Sequence, residues 1–519
     1  MWPFTKKTPK RSRRAFGGAM HDRLTNGWLA SSASLDAEIR SSLLALRNRS
    51  RQLARDNDYL KNFIRTVRDN VVGENGITFQ SQVKMLRGGK LDTATNDAIE
   101  RAWVKWCRKE NCHTAGKLHF VDIEQTLMGN LPKEGEFIVR FVYQAMGNSK
   151  VPLALEIIEV DRLDENYNER LSDAGNEVRM GVEVNSWGRP VAYHFLARHP
   201  NDLTAASIEA RRSKRIRVPA DEIIHCFIAD GAVQSRGFPW VASALKRLHH
   251  MQGYEEAEII AARGSAALMG FIESPEEEAS ITDAVDDGQS VTEFEPGLFK
   301  KLAPGEKINI PNVSRPGTQF DPFMRLMLRG LAAGAGCSYE TLSKDYSQSN
   351  YSSSRLALID DRSNWRTIQK WMIRNFHQVV FEKWLDLAVL SGELRLKNYE
   401  VQPDIYKSVK WQPRGWSWVD PAKEVSSYKE AVRSGFMTQS EVIAQSGGDF
   451  DELMLRRAAE IETAKDLGIM LDTDPMFVSK AGVTQARPSG SEAIDTENDP
   501  QPQPKKKPRP NSGDEDAEE

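Results

Sequence analysis

Few residues of this 519-residue chain stand at spacings that could do covalent chemistry. Ser243-Ala-Leu-Lys246, and Ser426 with Lys429, fit S-x-x-K, which on a helix brings a hydroxyl and an amine to one face. Such short patterns arise by chance, and both lie in amphipathic helical stretches, so solvated surface is the expectation. Cys107, Cys112 and His113 offer half a zinc site. Structural zinc needs a second ligand pair at defined spacing, and His119 completes only an irregular set, so ordinary core or surface positions are expected. His225 and Cys226 adjoin in a strand pattern and face opposite ways. His249 and His250 diverge by about 100° on a helix. There is no H-E-x-x-H and no G-x-S-x-G. Gly88-Gly89-Lys90 is followed by Leu91, and Gly305-Glu306-Lys307 by Ile308, so the phosphate cradle G-x-x-x-x-G-K-[ST] is missing too. No catalytic residue, metal or cofactor is expected.

Two candidates are of another kind. Arg325 and Arg329, four apart, share one helix face, while Phe323, Met324, Leu326, Met327, Leu328 and Leu331 cover much of the rest. The pair reads either as a solvated stripe or as a basic stripe facing a polyanion or a neighbouring subunit. The polar run that follows is the second. Between Ser343 and Ser354 stand Lys344, Asp345, Tyr346, Ser347, Gln348, Ser349, Asn350 and Tyr351, then two further serines. Such a run cannot build a core and must meet solvent or a polar partner.

The elements that would position these residues follow from periodicity. Leu35, Ile39, Leu43, Leu46 and Leu53 recur at helical spacing. Asn57-Asp58 caps a second helix carrying Leu60, Ile64, Val67 and Val71, which Gly73 and Asn75-Gly76 end. A third helix is expected over 96–107. EFIVRFVYQ, LALEIIEV, VEVNSWGRPVAYHF and EIIHCFI read as strands, the third a hairpin turning at Asn185 to Gly188. A helical stretch opens at Pro239-Trp240 and runs to about 268, then short acidic strands occupy 271–320. Helices follow from about 322 and from 354 to 390. Asp420-Pro421 starts another, and Thr438 with Glu441 signals a capping box. The fold class is therefore α+β.

Hydrophobic content of 40% and charged content of 28% describe a globular chain of roughly three domains. The net charge of −3 excludes binding a polyanion by bulk electrostatics, but charge is distributed in blocks. KKTPKRSRR opens the chain, 271–299 holds no Lys or Arg, and the tail carries KKKPR and then DEDAEE. Residues 1–34 are expected to be a basic disordered arm and 471–519 a disordered tail. Four cysteines over this length argue for a reducing compartment, so assembly in the cytoplasm is expected. No run reaches about 18 apolar residues, and neither a membrane span nor a secretory signal is expected.

Five fragments in order resemble the portal proteins of tailed bacteriophages, lambda type. They are RNRSRQLARDNDYLKNFIRTVRDNVVGENGI, GVEVNSWGRPVAYHF, HCFIADGAVQSRGFPWVASALKRL, LRGLAAGAGCSYETLSKDYSQSNYSSSR and the W-x-P-x-G-W-S-W-V-D-P-x-K-E run from Trp411. The resemblance implies a closed homo-oligomeric ring of about twelve subunits at one capsid vertex, with DNA moving through its axial channel. It implies double-stranded DNA, bound without sequence preference, as a partner. Terminase, major capsid and scaffold proteins, and head-tail connector proteins are the others, with no membrane. It places the protein in the virion. The implied layout is a wing over 35–239, stem helices over 240–270 and 319–342, and a clip over 271–318 between them. A channel loop over 343–353, a long helix returning to the wing over 354–420 and crown helices over 421–470 complete it. Lys344 to Tyr351 would line the channel, and Arg325 and Arg329 would face it or a neighbour. Glu276, Glu277, Glu278, Asp286, Asp287, Glu293 and Glu295 of the clip would dock a basic partner. The alternative is a DNA-processing enzyme of the packaging apparatus, such as a nuclease, which the abundance of acidic residues leaves open.

Overall fold

The computed structural model describes residues 32–85, 91–171, 175–201, 215–266, 271–273, 285–286, 289–290, 307–309, 319–416, 421–445 and 448–469. The chain divides into two units, Met1–Gly448 and Asp449–Glu519. Helix α1 (Leu35–Asp56) is capped by Ser34, whose side chain accepts from the Ala37 amide. Helix α2 (Asp58–Val71) starts at the expected cap: Asn57 Oδ1 accepts from the Leu60 amide at 3.1 Å. It stops at Gly73 and Gly76, both at positive φ. Gly76 has a further reason to lack a side chain, since the Glu124 carboxylate occupies the space a Cβ would need.

Strand β1 (Thr78–Ser81), α3 (Thr93–Trp106), the short α4 (Lys109–Cys112) and α5 (Phe120–Glu134) follow. Helix α5 lies outside the helices expected from sequence; Phe120, Ile123, Leu127, Met128 and Leu131 are buried on one of its faces. Strands β2 (Glu136–Val142), β3 (Ala154–Ile158) and β9 (Ile223–Phe227) form an antiparallel sheet in the order β3-β2-β9. Strands β4 (Glu169–Arg170), β5 (Glu177–Arg179), β6 (Val182–Val184), β7 (Pro190–Phe195) and β8 (Ile216–Pro219) form a second, in sequence order. The β6–β7 hairpin turns at Asn185–Gly188 as read from sequence.

Alternation along β2 sends side chains into two cores. Phe137, Val139 and Phe141 join the main one, whereas Ile138 packs with Val182, Val184, Tyr193 and Phe195 of the second sheet. The main core is closed by α6 (Leu245–Ala266), α7 (Phe320–Ala335), α8 (Tyr339–Ser343), α9 (Tyr351–Met372) and α10 (Gln378–Leu390), the last two joined by a π-helical turn, Ile373–His377. Trp103, Trp106, Phe381 and Trp384 pack edge-to-face or tilted at its centre, with Trp103 and Trp384 centroids 5.1 Å apart. Helix α6 begins later than Pro239, because Pro239–Ala244 is folded into turns. Helix α11 (Pro403–Tyr406) and β14 (Val409–Gln412) follow, with β14 returning to pair with β1. Helix α12 (Pro421–Arg433) and α13 (Gln439–Gln445) end the first unit. Thr438 and Glu441 make the expected reciprocal cap. The second unit contains α14 (Phe450–Asp466), capped by Asp449.

Between the two cores lies an ionic centre. Glu136 is fully buried and accepts from Arg47 at 2.5 Å, Arg236 Nε at 2.8 Å, the Gly237 amide at 2.6 Å and His225 at 3.0 Å. Burial pushes its carboxyl up, but Arg236 and Arg47 outweigh that and hold it well below the usual range. A pair this deep is strongly destabilising to break, because the remaining charges lose their partner. Among the described residues, the acidic region 271–318 contributes two antiparallel pairs: β10 (Phe271–Glu273) with β13 (Lys307–Asn309), and β11 (Val285–Asp286) with β12 (Gln289–Ser290).

Candidate functional site

The polar connection between α7 and α9 is built in three steps. Helix α7 ends at Gly336, in the left-handed region with φ 71. Ser338 then caps α8, and the buried Asp361 of α9 holds that turn: it accepts from the Ser338 amide at 2.8 Å, the Ser338 hydroxyl at 2.7 Å and the Thr341 hydroxyl at 2.6 Å. From the other side, Asn62 of α2 donates to the Thr341 and Leu342 carbonyls at 3.0 and 2.8 Å. Lys344 closes α8 at φ 59 and is the first residue of the loop. A left-handed lysine is costly, and it is tolerated here because both neighbouring helices fix the turn.

The loop itself is shorter than 343–353. Ser343 is helical, and α9 starts at Tyr351, not Ser354, because Asn350 and Ser353 form a reciprocal capping box at 2.8 and 3.1 Å. What remains is Lys344–Asn350. Asp345 organises it, accepting from the Tyr339 hydroxyl at 2.7 Å and the Ser347 amide at 3.0 Å. Hydrogen bonds from the Ser347 side chain and amide, then from Tyr339, hold its carboxyl down at about 2. Ser349 bonds Glu340. Tyr346 is 57% exposed, and Ser347 and Gln348 are exposed beside it.

Arg325 and Arg329 share a face of α7, as their spacing requires, and that face meets the loop of the same chain. Arg325 bonds Asp321 at 2.9 Å and stands 3.8 Å from Asp345. Arg329 donates to Gln348 at 3.4 Å, with its guanidinium 5.5 Å from the centre of the Tyr339 ring. The two arginines thus restrain the loop, an arrangement that spacing alone does not reveal.

The other candidates separate. Ser243, Lys246, Ser426 and Lys429 are exposed. His113 Nδ1 accepts from the Lys117 and Leu118 amides and His119 Nδ1 from the Lys109 amide, so both rings serve local turns. Burial pushes the Cys107 and Cys112 thiols up, the opposite of a metal-binding or nucleophilic thiolate. Among the described residues no three His, Cys, Asp or Glu side chains gather in a metal-binding group, and no helix is long and apolar enough to cross a membrane. His225 and Cys226 do face opposite ways: one bonds Glu136, the other the Asn375 carbonyl. Of the acidic docking set, Asp286 lies in β11 opposite Gln289. Glu276, Glu277, Glu278, Asp287, Glu293 and Glu295 lie outside the described residues, as do the arm over 1–31 and the tail from 470.

Sequence reasoning missed Asp361, Tyr339, Asn62 and Glu340, which hold the loop in place. A signal for one existed. Asp361 precedes Trp365, Ile368 and Met372 on the buried stripe of α9, and a carboxylate on such a stripe demands partners.

A model of the lambda family of phage portal proteins matches residues 21–369, which include both arginines, the loop and Asp361. The chain belongs to that family. Among similar proteins, a probable portal protein of Halomonas phage phiHAP-1 is 33% identical over 465 residues, covering 88% of each chain. The portal protein of Escherichia phage N15 is 22% identical, covering 91% of this chain and 93% of its own. Portal protein B of Escherichia phage lambda is 21% identical, covering 88% and 89%. Among solved structures, a chain from the neck of a native gene transfer agent particle aligns with a TM-score of 0.40 at 13% identity, over 79% of this chain and 99% of that one.

Proposed function

We propose that this portal-family chain forms a closed ring of about twelve copies at one vertex of a phage capsid, and that double-stranded DNA enters and leaves through its axis. The family match across 21–369 carries the reading. In it the chain is a structural conduit without catalytic activity or cofactor. Residues 35–239 form the wing, 240–270 and 319–342 the stem, 271–318 the clip and 421–470 the crown. The loop at Lys344–Asn350 faces the channel. Terminase docks on the ring during filling, head-completion and tail proteins replace it, and the ring remains in the virion in contact with capsid protein.

The loop's chemistry supports that role. Each phosphate neutralised by a cation strengthens DNA binding, so a conduit working in both directions needs few of them. Lys344 is the loop's sole cation, its carboxylate Asp345 is bonded internally, and the outward residues are hydroxyls, amides and Tyr346. Negative-stain electron microscopy of the purified full chain tests the proposal. Closed rings with a central hole are expected; monomers or open sheets would sink it.

A further inference from the structure

A cleft of about 340 Å³ opens between α2, α9 and the segment after β14. Four cations line it, Arg65, Lys344, Arg362 and Arg414, against two carboxylates, Asp69 and Asp361. Both carboxylates are already engaged. Asp69 accepts from Arg68 at 2.9 Å, and Asp361 holds Ser338 and Thr341. Two of the cations, Arg362 and Arg414, are also pre-positioned. Trp416, anchored by its indole N–H to Asn70 at 2.9 Å, lies 5.9 Å from the Arg362 guanidinium and 5.4 Å from that of Arg366. Arg414 donates to the Asp69 carbonyl and lies over Gly73, where a Cβ would displace it. Burial disfavours the charged form of Arg362; Glu424 opposes this, while Arg366 and Arg414 add to it.

We propose that this cleft binds a phosphate-class anion, either free phosphate or a backbone phosphate of nucleic acid. The donors converge from α2, the start of the loop, α9 and the segment after β14. A tetrahedral oxyanion accepts from several directions at once, whereas one planar carboxylate is satisfied by a single guanidinium fork. Convergence from four segments therefore favours phosphate over an acidic peptide. Because Lys344 is also the first loop residue, an occupant ties the loop to α2.

The site needs only one chain, so its test is independent of ring formation. Arg65→Gln and Lys344→Asn suit it: both side chains are exposed, and Asn tolerates the left-handed backbone at 344. Pyrophosphate is titrated calorimetrically into the full chain, and a short random-sequence duplex is followed by fluorescence anisotropy across a salt series. Each variant is expected to weaken pyrophosphate binding roughly tenfold, the effect of one charge-assisted hydrogen bond, with circular dichroism unchanged. Duplex binding whose log–log salt slope falls by about one per variant assigns the phosphate to nucleic acid. Pyrophosphate binding alone assigns it to a free anion. Binding of neither probe, or binding indifferent to both variants, overturns the site. Tighter variant-sensitive binding of hexaglutamate than of pyrophosphate overturns the phosphate assignment.

Discussion

At the scale of single residues, polar groups on apolar stripes organise this fold. Arg47 follows Ile39 and Leu43 on the buried face of α1, and Asp361 precedes Trp365 and Ile368 on that of α9. Their positions were legible in the periodicity. Their partners were not, because Glu136 and the Gly237 carbonyl lie 89 and 190 residues beyond Arg47, and Ser338 lies 23 before Asp361. Asp361 is buried and accepts three hydrogen bonds, two of them from hydroxyls. Each bond to a charged acceptor is worth about 1.5–3 kcal/mol, and deleting the acceptor leaves its donors to find other partners. Asp361→Ala should therefore loosen α8 by about 2 kcal/mol or more while leaving the bulk of the core folded. Hydrogen exchange would show it as faster exchange at the amides of Ser338 and 341–344, with the α2 amides unaffected. Uniformly faster exchange across the chain would mean that Asp361 supports the whole core instead.

At the scale of elements, strands and their alternation were legible, since β2, β3, β7 and β9 are rich in β-branched and aromatic residues. Charges inside the second sheet were not, because register decides them. Glu183 of β6 is buried, yet it receives Arg217 of β8 at 2.8 and 3.1 Å, Asn176 at 3.0 Å and His194 of β7 at 3.1 Å. The Arg217 hydrogen bonds, followed by those of Asn176 and His194, outweigh burial and bring its carboxyl from 4.5 down to about 2. A carboxyl depressed by folding contributes stability that is complete above its unfolded value and disappears as pH falls through the folded one. Glu183→Gln should thus be less stable than the parent at neutral pH. The gap in urea midpoint should hold steady above about pH 5 and narrow as pH falls from 4.5 towards 2. A gap that stays constant to pH 3 would show that Glu183 acts through packing and not through its charge.

At the scale of the whole molecule, the order of helices, acidic strands and polar loop was legible, while family membership rests on the sequence match over 21–369. The loop's boundaries and restraints were not, because they depend on the Asn350–Ser353 cap and on arginines of α7 that spacing alone could not aim. Those restraints dictate how to test the conduit. Replacing residues as far as Ser353 would remove the cap of α9 and confound assembly with conduction. A change confined to the exposed tip avoids that. Ser347 meets Asp345 through its backbone amide, which any substitution keeps, and through its side chain, which a substitution gives up, so Ser347→Ala is the reference against which the variant is read. In a closed ring, Ser347→Lys adds one cation per subunit to the passage, and each phosphate so neutralised steepens the salt dependence of DNA binding by about 0.9. Rings of normal appearance are expected, with DNA release slowed at low ionic strength and restored by added salt, because the new attraction is screened. Measured on particles carrying the variant, release that is unchanged at every salt concentration would take the loop out of the path of DNA, while leaving ring formation to be judged by microscopy.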